Sequence, residues 1–83
     1  MGAAAVSERG LMQADVVLIQ AEQKLMDRAD KLIVLVDSTK FRASASFVVC
    51  DLDQIDTIVT DSGASADDIA MLRDRSVEVM IAG

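Results

Sequence analysis

The chain has no histidine, proline, tryptophan or tyrosine, and its only aromatic residues are two phenylalanines. Without histidine, zinc sites of the His/Cys type and histidine-based catalytic triads are excluded. The two phenylalanines are too few for the stacking platforms that bind single-stranded nucleic acid. A formal net charge of -6 and a pI of about 4.3 argue against binding to phosphate backbones, which requires clustered lysine and arginine.

A single cysteine is present, Cys50, and it follows the apolar residues 47–49. We interpret it as a buried structural thiol in a reducing cytoplasm, with a reactive thiol or an intermolecular disulfide as the alternative. No apolar run approaches the roughly 18 residues of a membrane span. The first residues also lack the basic and apolar regions of a signal peptide. These features predict a cytoplasmic protein without a membrane partner.

The chain is short but rich in apolar residues. Its 83 residues permit one small domain or part of one, which would bury roughly 60% of its surface on folding. Yet 52% of the residues are hydrophobic, and the mean hydropathy is +0.34. This surplus predicts that apolar surface is covered by a missing segment or by a second copy, so we expect a homo-oligomer.

The sequence changes character at Asp15. Residues 1–14 begin with an alanine-rich stretch and contain Gly10, so we expect them to be loosely ordered. Asp15 is a predicted N-cap, because apolar side chains recur at helical spacing after it. These side chains are Leu18, Ala21, Leu25, Met26 and Ala29.

Four segments are predicted to be strands. Residues 31–36 are almost continuously apolar and do not alternate, which is typical of a parallel strand that is covered on both faces. Three further strands are predicted over residues 46–50, 55–60 and 77–82. Residues 51–54 are predicted to form a turn or a single helical turn.

A second helix is predicted to follow Ser65, because Ser65 and Asp68 have the spacing of a capping box. Residues 55–82 then form a βαβ unit with a right-handed crossover. The predicted class is α/β, as part of a Rossmann-like three-layer sandwich with a mostly parallel sheet.

Two of the predicted strand ends carry polar residues that suit ligand binding. In open parallel sheets, ligands bind beyond the carboxyl ends of the strands. Asp37, Ser38 and Lys40 follow the first predicted strand, and Asp61 follows the third. Lys40 could hold a phosphate or a carboxylate, and the alternative is a surface lysine paired with Asp37. Asp61 suits an anion or a ribose, and the alternative is an ordinary turn.

Glu22 interrupts an otherwise apolar stripe of the first predicted helix. It either lies at the edge of the stripe and reaches water, or it points into a polar cleft. A second acidic group, formed by Asp51, Asp53 and Asp56, lacks the glycine and the terminal glutamate of a calcium loop. We therefore predict no metal site, and no feature of the sequence calls for a cofactor.

Two segments resemble the DeoR-type transcriptional regulators. The sequence D-S-T-K-F at residues 37–41 resembles their D-S-S-K-F motif, and residues 52–61 resemble their L-x-x-I-D-x-I-I-T-D stretch. Gly10 and Leu11 also match a Gly-Leu pair that precedes a helix in the family. The resemblance extends from about Gly10 to Ile81 and covers the later half of the family's sensor domain.

That sensor domain is similar in fold to ribose-5-phosphate isomerase, which carries an E…D-x-S-K pattern with the acid and the lysine 18 positions apart. Glu22 and Lys40 have the same separation, and Thr39 stands where the pattern has serine. The resemblance implies that Lys40 contacts an effector phosphate and that Glu22 binds sugar hydroxyls. Many DeoR-type sensors have a basic residue at the position of Glu22, and this departure weakens the second assignment.

The resemblance implies that residues 1–83 are a single partial domain, the effector-sensing and oligomerising portion of a regulator that responds to a phosphorylated sugar. We expect no enzyme activity and no catalytic residue, because the earlier half of the sensor domain is absent. DNA would be bound only through a winged helix-turn-helix that this chain lacks. The alternatives are an isomerase-like phosphosugar enzyme fragment and a structural oligomerisation module without a working pocket.

Overall fold

The strands divide into one antiparallel and one parallel sheet of three strands each. The computed structural model describes residues 1–83. Its strands are β1 (Ala5–Ser7), β2 (Gly10–Gln13), β3 (Ile33–Leu35), β4 (Phe47–Cys50), β5 (Thr57–Thr60) and β6 (Glu78–Ile81). Its helices are α1 (Val16–Arg28) and α2 (Ala66–Asp74), and single 3-10 turns span Ser38–Phe41 and Leu52–Gln54.

The parallel sheet has the strand order β3-β5-β6 and buries only one of its faces. Val34 and Ile58 are paired in register and lie fully buried in the core. On the opposite face, Leu35 is 59% exposed and Met80 is 52% exposed. The prediction that the strand at residues 31–36 is covered on both faces is therefore wrong, because nothing in this chain packs against the outer face.

Residues 1–14 are ordered, contrary to the prediction. β1 and β2 form an antiparallel hairpin, and β2 also pairs with β4. Val6 and Leu11 of the hairpin are completely buried in the main hydrophobic core. The alanine-rich composition was misleading because small side chains can also pack closely, and here Ala5 is buried and Ala3 packs against the core.

Gly10 makes this hairpin possible. Its φ of +123° lies in a region that favours glycine, and a Cβ atom at this position would lie 2.1 Å from the carbonyl oxygen of Cys50. The backbones of β2 and β4 therefore approach each other at a point that admits no side chain. The glycine predicted to loosen the segment instead permits its pairing.

The helix α1 begins where the sequence predicted. The Asp15 carboxylate accepts a hydrogen bond from the backbone N–H of Val17 at 2.9 Å and caps the helix. The apolar side chains that recur along the predicted helix do not all face the core. Leu25, one of them, is 67% exposed, whereas Ile19 and Glu22 are buried. The antiparallel sheet covers a narrow side of the helix, so apolar character alone did not decide which side faces inward.

The βαβ unit is confirmed, since β5 and β6 pair in parallel with α2 between them. Ser65 and Asp68 exchange the two hydrogen bonds of a capping box. Beyond the end of the helix, Ser76 adopts a positive φ of 62° and leads into β6. Arg75 ties this end to the second 3-10 turn through a 2.8 Å salt bridge to Asp53.

The protein is thus a mixed α/β fold with one parallel sheet, as predicted. The Rossmann-like three-layer arrangement is not confirmed, because the structure shows no helix layer over the face that bears Leu35 and Met80. Neither α1 nor α2 has the length and hydrophobicity needed to cross a membrane.

Replacing Gly10 with alanine should destabilise the fold by at least about 2 kcal/mol, because the new methyl group would meet the backbone of Cys50 in a strained conformation. Gly2→Ala is the matched control, since its Cβ would lie at an ordinary 3.6 Å from the Leu35 carbonyl oxygen. We expect that control to stay within about 0.5 kcal/mol of the wild type in urea unfolding. Equal losses for the two variants would contradict this role of Gly10.

Candidate functional site

The predicted polar residues meet at the carboxyl ends of β3 and β5. These strands are parallel neighbours, so their carboxyl ends lie at the same edge of the sheet. Asp37 and Ser38 follow β3 closely, and Asp61 follows β5 directly. We call this edge, with residues 37–40 and 60–63, the carboxyl rim.

Asp61 joins the two loops of the carboxyl rim. One of its carboxylate oxygens accepts a hydrogen bond from the backbone N–H of Ser38 at 2.9 Å, and the other accepts one from Gly63 at 2.8 Å. Hydrogen bonds from Ser38 and Gly63 lower the pKa of Asp61, so it remains a fixed negative charge near neutral pH. The turn that was the alternative interpretation of Asp61 exists, but the same carboxylate also reaches the neighbouring loop.

Gly63 leaves space for the close approach of these loops. A Cβ atom at this position would lie 2.5 Å from the Ser38 hydroxyl oxygen and 2.9 Å from an Asp61 carboxylate oxygen. The sequence analysis did not assign a role to Gly63. The signal was present as a glycine two residues after an aspartate at a strand end, a pattern common in turns.

Lys40 lies in the 3-10 turn that Asp37 caps. The Asp37 carboxylate accepts hydrogen bonds from the backbone N–H and the hydroxyl of Thr39, and these bonds lower its pKa. The Lys40 ammonium lies 3.8 Å from a carboxylate oxygen of Asp37, and both side chains are partly exposed. This surface pair was the alternative interpretation of Lys40. Exposed ion pairs of this kind are weak, so the Lys40 ammonium can leave Asp37 and bind another anion.

Glu22 is not at the solvent edge of α1, as one interpretation held; it is only 7% exposed. Its Oε1 atom is buried and has no hydrogen-bond partner. Burial raises the pKa of Glu22, and the neighbouring Gln13 side chain and the N-terminal ammonium partly offset this shift. Glu22 forms no salt bridge with Lys40, whose partner is Asp37.

Gln13 connects Glu22 to the neighbourhood of the carboxyl rim. The Gln13 amide is buried beside the Glu22 carboxylate and donates a hydrogen bond to the Gly2 carbonyl oxygen at 3.3 Å. Gly2 in turn lies against the carbonyl of Leu35, the last residue of β3. Sequence reasoning did not identify Gln13, because it lies in the segment predicted to be loosely ordered. An effector contact by Glu22 itself remains a prediction.

Thr60 is a third residue that the sequence did not single out. It is the last residue of β5 and lines a cleft of about 340 Å³ at the carboxyl rim, together with Asp37 and Asp61. Its hydroxyl oxygen is buried and has no hydrogen-bond partner. Only the backbone alternation of β5, which places Thr60 on the same face as the buried Ile58, could have indicated this burial.

The carboxyl rim offers groups that can bind a polar ligand, namely carboxylate acceptors, hydroxyl groups, backbone N–H groups and one ammonium. The thiol of Cys50 is buried elsewhere in the core, and burial raises its pKa to about 11, as expected for the structural role predicted for it. No group of three or more acidic or cysteine side chains is arranged to hold a metal ion.

A family model described as the DeoR C terminal sensor domain matches residues 1–62 of the chain. The match covers both loops that meet at Ser38 and Asp61. The class of protein is therefore a sensor domain of transcriptional regulators. The chain belongs to the DeoR family, and the resemblance found in the sequence is confirmed.

Named relatives agree with this assignment. The chain is 33% identical over 75 residues to the HTH-type transcriptional regulator UlaR of Escherichia coli O127:H6, and 32% identical over 75 residues to UlaR of Shigella dysenteriae serotype 1. It is 33% identical over 76 residues to a putative aga operon transcriptional repressor of Escherichia coli O157:H7. These alignments cover 90% to 92% of the chain but only 28% to 30% of the relatives.

Glu22→Gln should stabilise the protein at pH 7 by about 1 kcal/mol, because it removes a buried charge that lacks a full set of partners. The folded-state pKa of Glu22 is raised, so its stability contribution is present below the usual glutamate pKa and is lost as the pH rises through the folded value. The gain from Glu22→Gln should therefore disappear near pH 4.

Urea unfolding at several pH values measures this difference. Glu78→Gln is the control, since Glu78 is exposed on β6 and should show little change at any pH. A Glu22→Gln variant that is less stable than the wild type at pH 7 would show that the carboxylate contributes favourably to folding.

Proposed function

We propose that residues 1–83 are a partial domain, the later part of a sensor that binds a phosphorylated sugar and takes part in oligomerisation in a DeoR-family regulator. The chain contributes the carboxyl rim of the parallel sheet to the effector site. Effector binding would bias an equilibrium between two states of the full regulator that differ in affinity for DNA.

The carboxyl rim carries the proposal. The Asp61 carboxylate holds the Ser38 loop in place at 2.9 Å, and Lys40 follows two residues later with an accessible ammonium. On binding a phosphate, Lys40 would exchange its weak surface pair with Asp37 for a charge-assisted hydrogen bond to the phosphate. The names of the relatives, all transcriptional regulators, support a sensing role over a catalytic one.

The proposed partners follow from this role. They are a phosphorylated sugar, a second copy of the chain, and DNA through a winged helix-turn-helix that these residues do not contain. We propose a cytoplasmic location, where such effectors and operators occur, and no membrane partner. There are two other hypotheses. An isomerase-like fragment would turn over a sugar phosphate, and a structural oligomerisation module without a working pocket would bind none.

Calorimetric titration with ribose 5-phosphate, fructose 6-phosphate and galactose 6-phosphate tests the proposal directly. We expect the wild-type chain to bind at least one of them more tightly than it binds inorganic phosphate or the unphosphorylated sugar. Turnover of the bound sugar phosphate, followed by NMR, would favour the isomerase-like fragment. Binding of none of the three would favour the module without a pocket.

Lys40→Ala should weaken binding of the preferred sugar phosphate by about tenfold or more, because a charge-assisted contact contributes about 1.5–3 kcal/mol. The fold should be spared, since Lys40 forms only an exposed pair with Asp37. Lys31→Ala is the matched control, because Lys31 is exposed and precedes the opposite, amino end of β3. Equal affinities of the wild type and Lys40→Ala in calorimetry would remove Lys40 from the site.

The exposed face of the parallel sheet should favour self-association. Leu35 and Met80 lie on it in one cross-strand row with Val59 between them. We expect light scattering to report a dimer or a larger assembly, and Leu35→Lys to shift it towards the monomer. Leu25→Lys, on the exposed side of α1, is the control and should leave the assembly unchanged. A wild-type monomer at high concentration would contradict the oligomerising role.

A further inference from the structure

The parallel sheet has two edges, β3 and β6, and only the β3 edge is occupied. There, the Leu35 N–H donates a hydrogen bond to the Met1 carbonyl oxygen at 2.7 Å, and the Met1 ammonium donates one to the Ile33 carbonyl oxygen at 3.3 Å. β6 pairs with β5 on one side and has no neighbouring strand on the other. The sheet is therefore open to a further strand at β6.

The open side of β6 carries backbone groups that face no other strand. The N–H groups of Glu78 and Ala82 donate hydrogen bonds towards β5 at 3.0 Å and 2.7 Å. Because the backbone groups of successive strand residues point to opposite sides, those of Val79 and Ile81 point away from β5. We call these outward N–H and C=O groups of Val79 and Ile81 the β6 edge.

The β6 edge lacks the lysine, proline or β-bulge that commonly protects an edge strand from pairing. Its strand contains one charged residue, Glu78, at the first position. β6 is as long as its neighbour β5 and pairs with it without a register shift. The side chains of Met80 and Ile81 are 52% and 47% exposed. An exposed apolar edge of this kind favours pairing with a strand of another chain.

We propose that the β6 edge pairs in antiparallel orientation with the β6 edge of a second copy, which joins the two parallel sheets into one. This inference rests on the oligomerising part of the proposed function and names its contact surface. Both copies contribute the same strand, so the contact is two-fold symmetric and closes at a dimer. Pairing of β6 with β3 of another copy is disfavoured, because Met1 occupies that edge.

The outward groups define the register of this pairing. With Val79 of each copy opposite Ile81 of the other, each pair exchanges two main-chain hydrogen bonds. A shift towards the start of β6 would require the Val77 N–H, which already donates a hydrogen bond to α2 at 3.0 Å. A shift towards its end would require Gly83, whose φ of +80° departs from the extended conformation. The register is therefore centred on Met80.

This register also suits the side chains of β6. Met80 lies opposite Met80 of the other copy, so the pairing covers part of its exposed apolar surface. The two Glu78 side chains lie at opposite ends of the paired strands, which keeps the like charges apart. The outer row of Leu35, Val59 and Met80 continues from one sheet into the other. Edge pairing thus widens the apolar face on which further copies can pack.

Disulfide cross-linking of Met80→Cys by oxidised glutathione tests the pairing, at a concentration where light scattering reports a dimer. Opposed residues of this type have Cα atoms about 4.5 Å apart, within the range of roughly 4.4–6.8 Å for a disulfide. We expect a covalent dimer on non-reducing electrophoresis that a reductant returns to the monomer. Cys50 should not interfere, because it is buried and its pKa is raised to about 11.

Leu35→Cys is the matched control, since Leu35 is similarly exposed on the same face. Five strand spacings of about 4.8 Å, or roughly 24 Å, separate the two copies of residue 35 in the paired sheet, so we expect no covalent dimer. If Leu35→Cys is cross-linked as well as Met80→Cys or better, the copies associate through their faces. The edge pairing is then wrong, and the oligomerising role stands.

Ile81→Pro tests the main-chain hydrogen bonds, because it removes an outward N–H and keeps the bonds to β5. The dissociation constant of the dimer in analytical ultracentrifugation should rise about tenfold or more, since each copy loses a hydrogen bond. Ile33→Pro is the control, because it removes an outward N–H at the first residue of β3 on the opposite edge. It should change the dissociation constant by less than about threefold.

The outcomes separate this inference from the proposed function. A folded Ile81→Pro variant that dimerises like the wild type would overturn the edge pairing and leave the oligomerising role in place. If Ile81→Pro does not fold, the cross-linking of Met80→Cys against Leu35→Cys decides alone. A wild type that stays monomeric at high concentration contradicts both the edge pairing and the oligomerising role.

Discussion

The hydrogen bond from the Ser38 backbone N–H to the Asp61 carboxylate connects the loops that follow β3 and β5. Parallel pairing brings the two strand ends to one edge, but pairing alone does not set the path of the chain beyond them. The Asp61 carboxylate supplies that constraint, and Gly63 leaves the space it needs. Lys40 is positioned through the same loop. The geometry of the proposed effector site thus depends on the Asp61 carboxylate and its two backbone donors, Ser38 and Gly63.

The parallel sheet is covered by the hydrophobic core on one face only. The core joins the inner face to the antiparallel hairpin and to α2, whereas the face with Leu35 and Met80 is open. Parallel sheets are normally covered on both faces, because crossover helices pack on each side. A chain that spans about 30% of its relatives can therefore form a core and still present apolar surface. This surface is the physical basis for the proposed self-association.

Local signals in the sequence predicted much of the fold. Asp15 and Ser65 were recognised as helix caps because capping depends on residues within one turn. The positions of β3 to β6 followed from apolar runs, and the family was recognised from residues 37–41 and 52–61. Predictions failed where distant contacts decide the outcome. Gly10 was taken as a sign of disorder because its partner, the Cys50 backbone, lies 40 positions away in the sequence.

The sequence by itself determined the helix caps, the strands β3 to β6, the acidic charge and the family of this protein, because each of these is set by neighbouring residues or by composition. Only the tertiary structure decided which side of α1 is buried, and with it the burial of Glu22. It also decided that Asp61 meets Ser38 and that the hydroxyl of Thr60 has no partner. The physical reason is that burial and long-range hydrogen bonds depend on which elements pack together, and no local pattern contains that information.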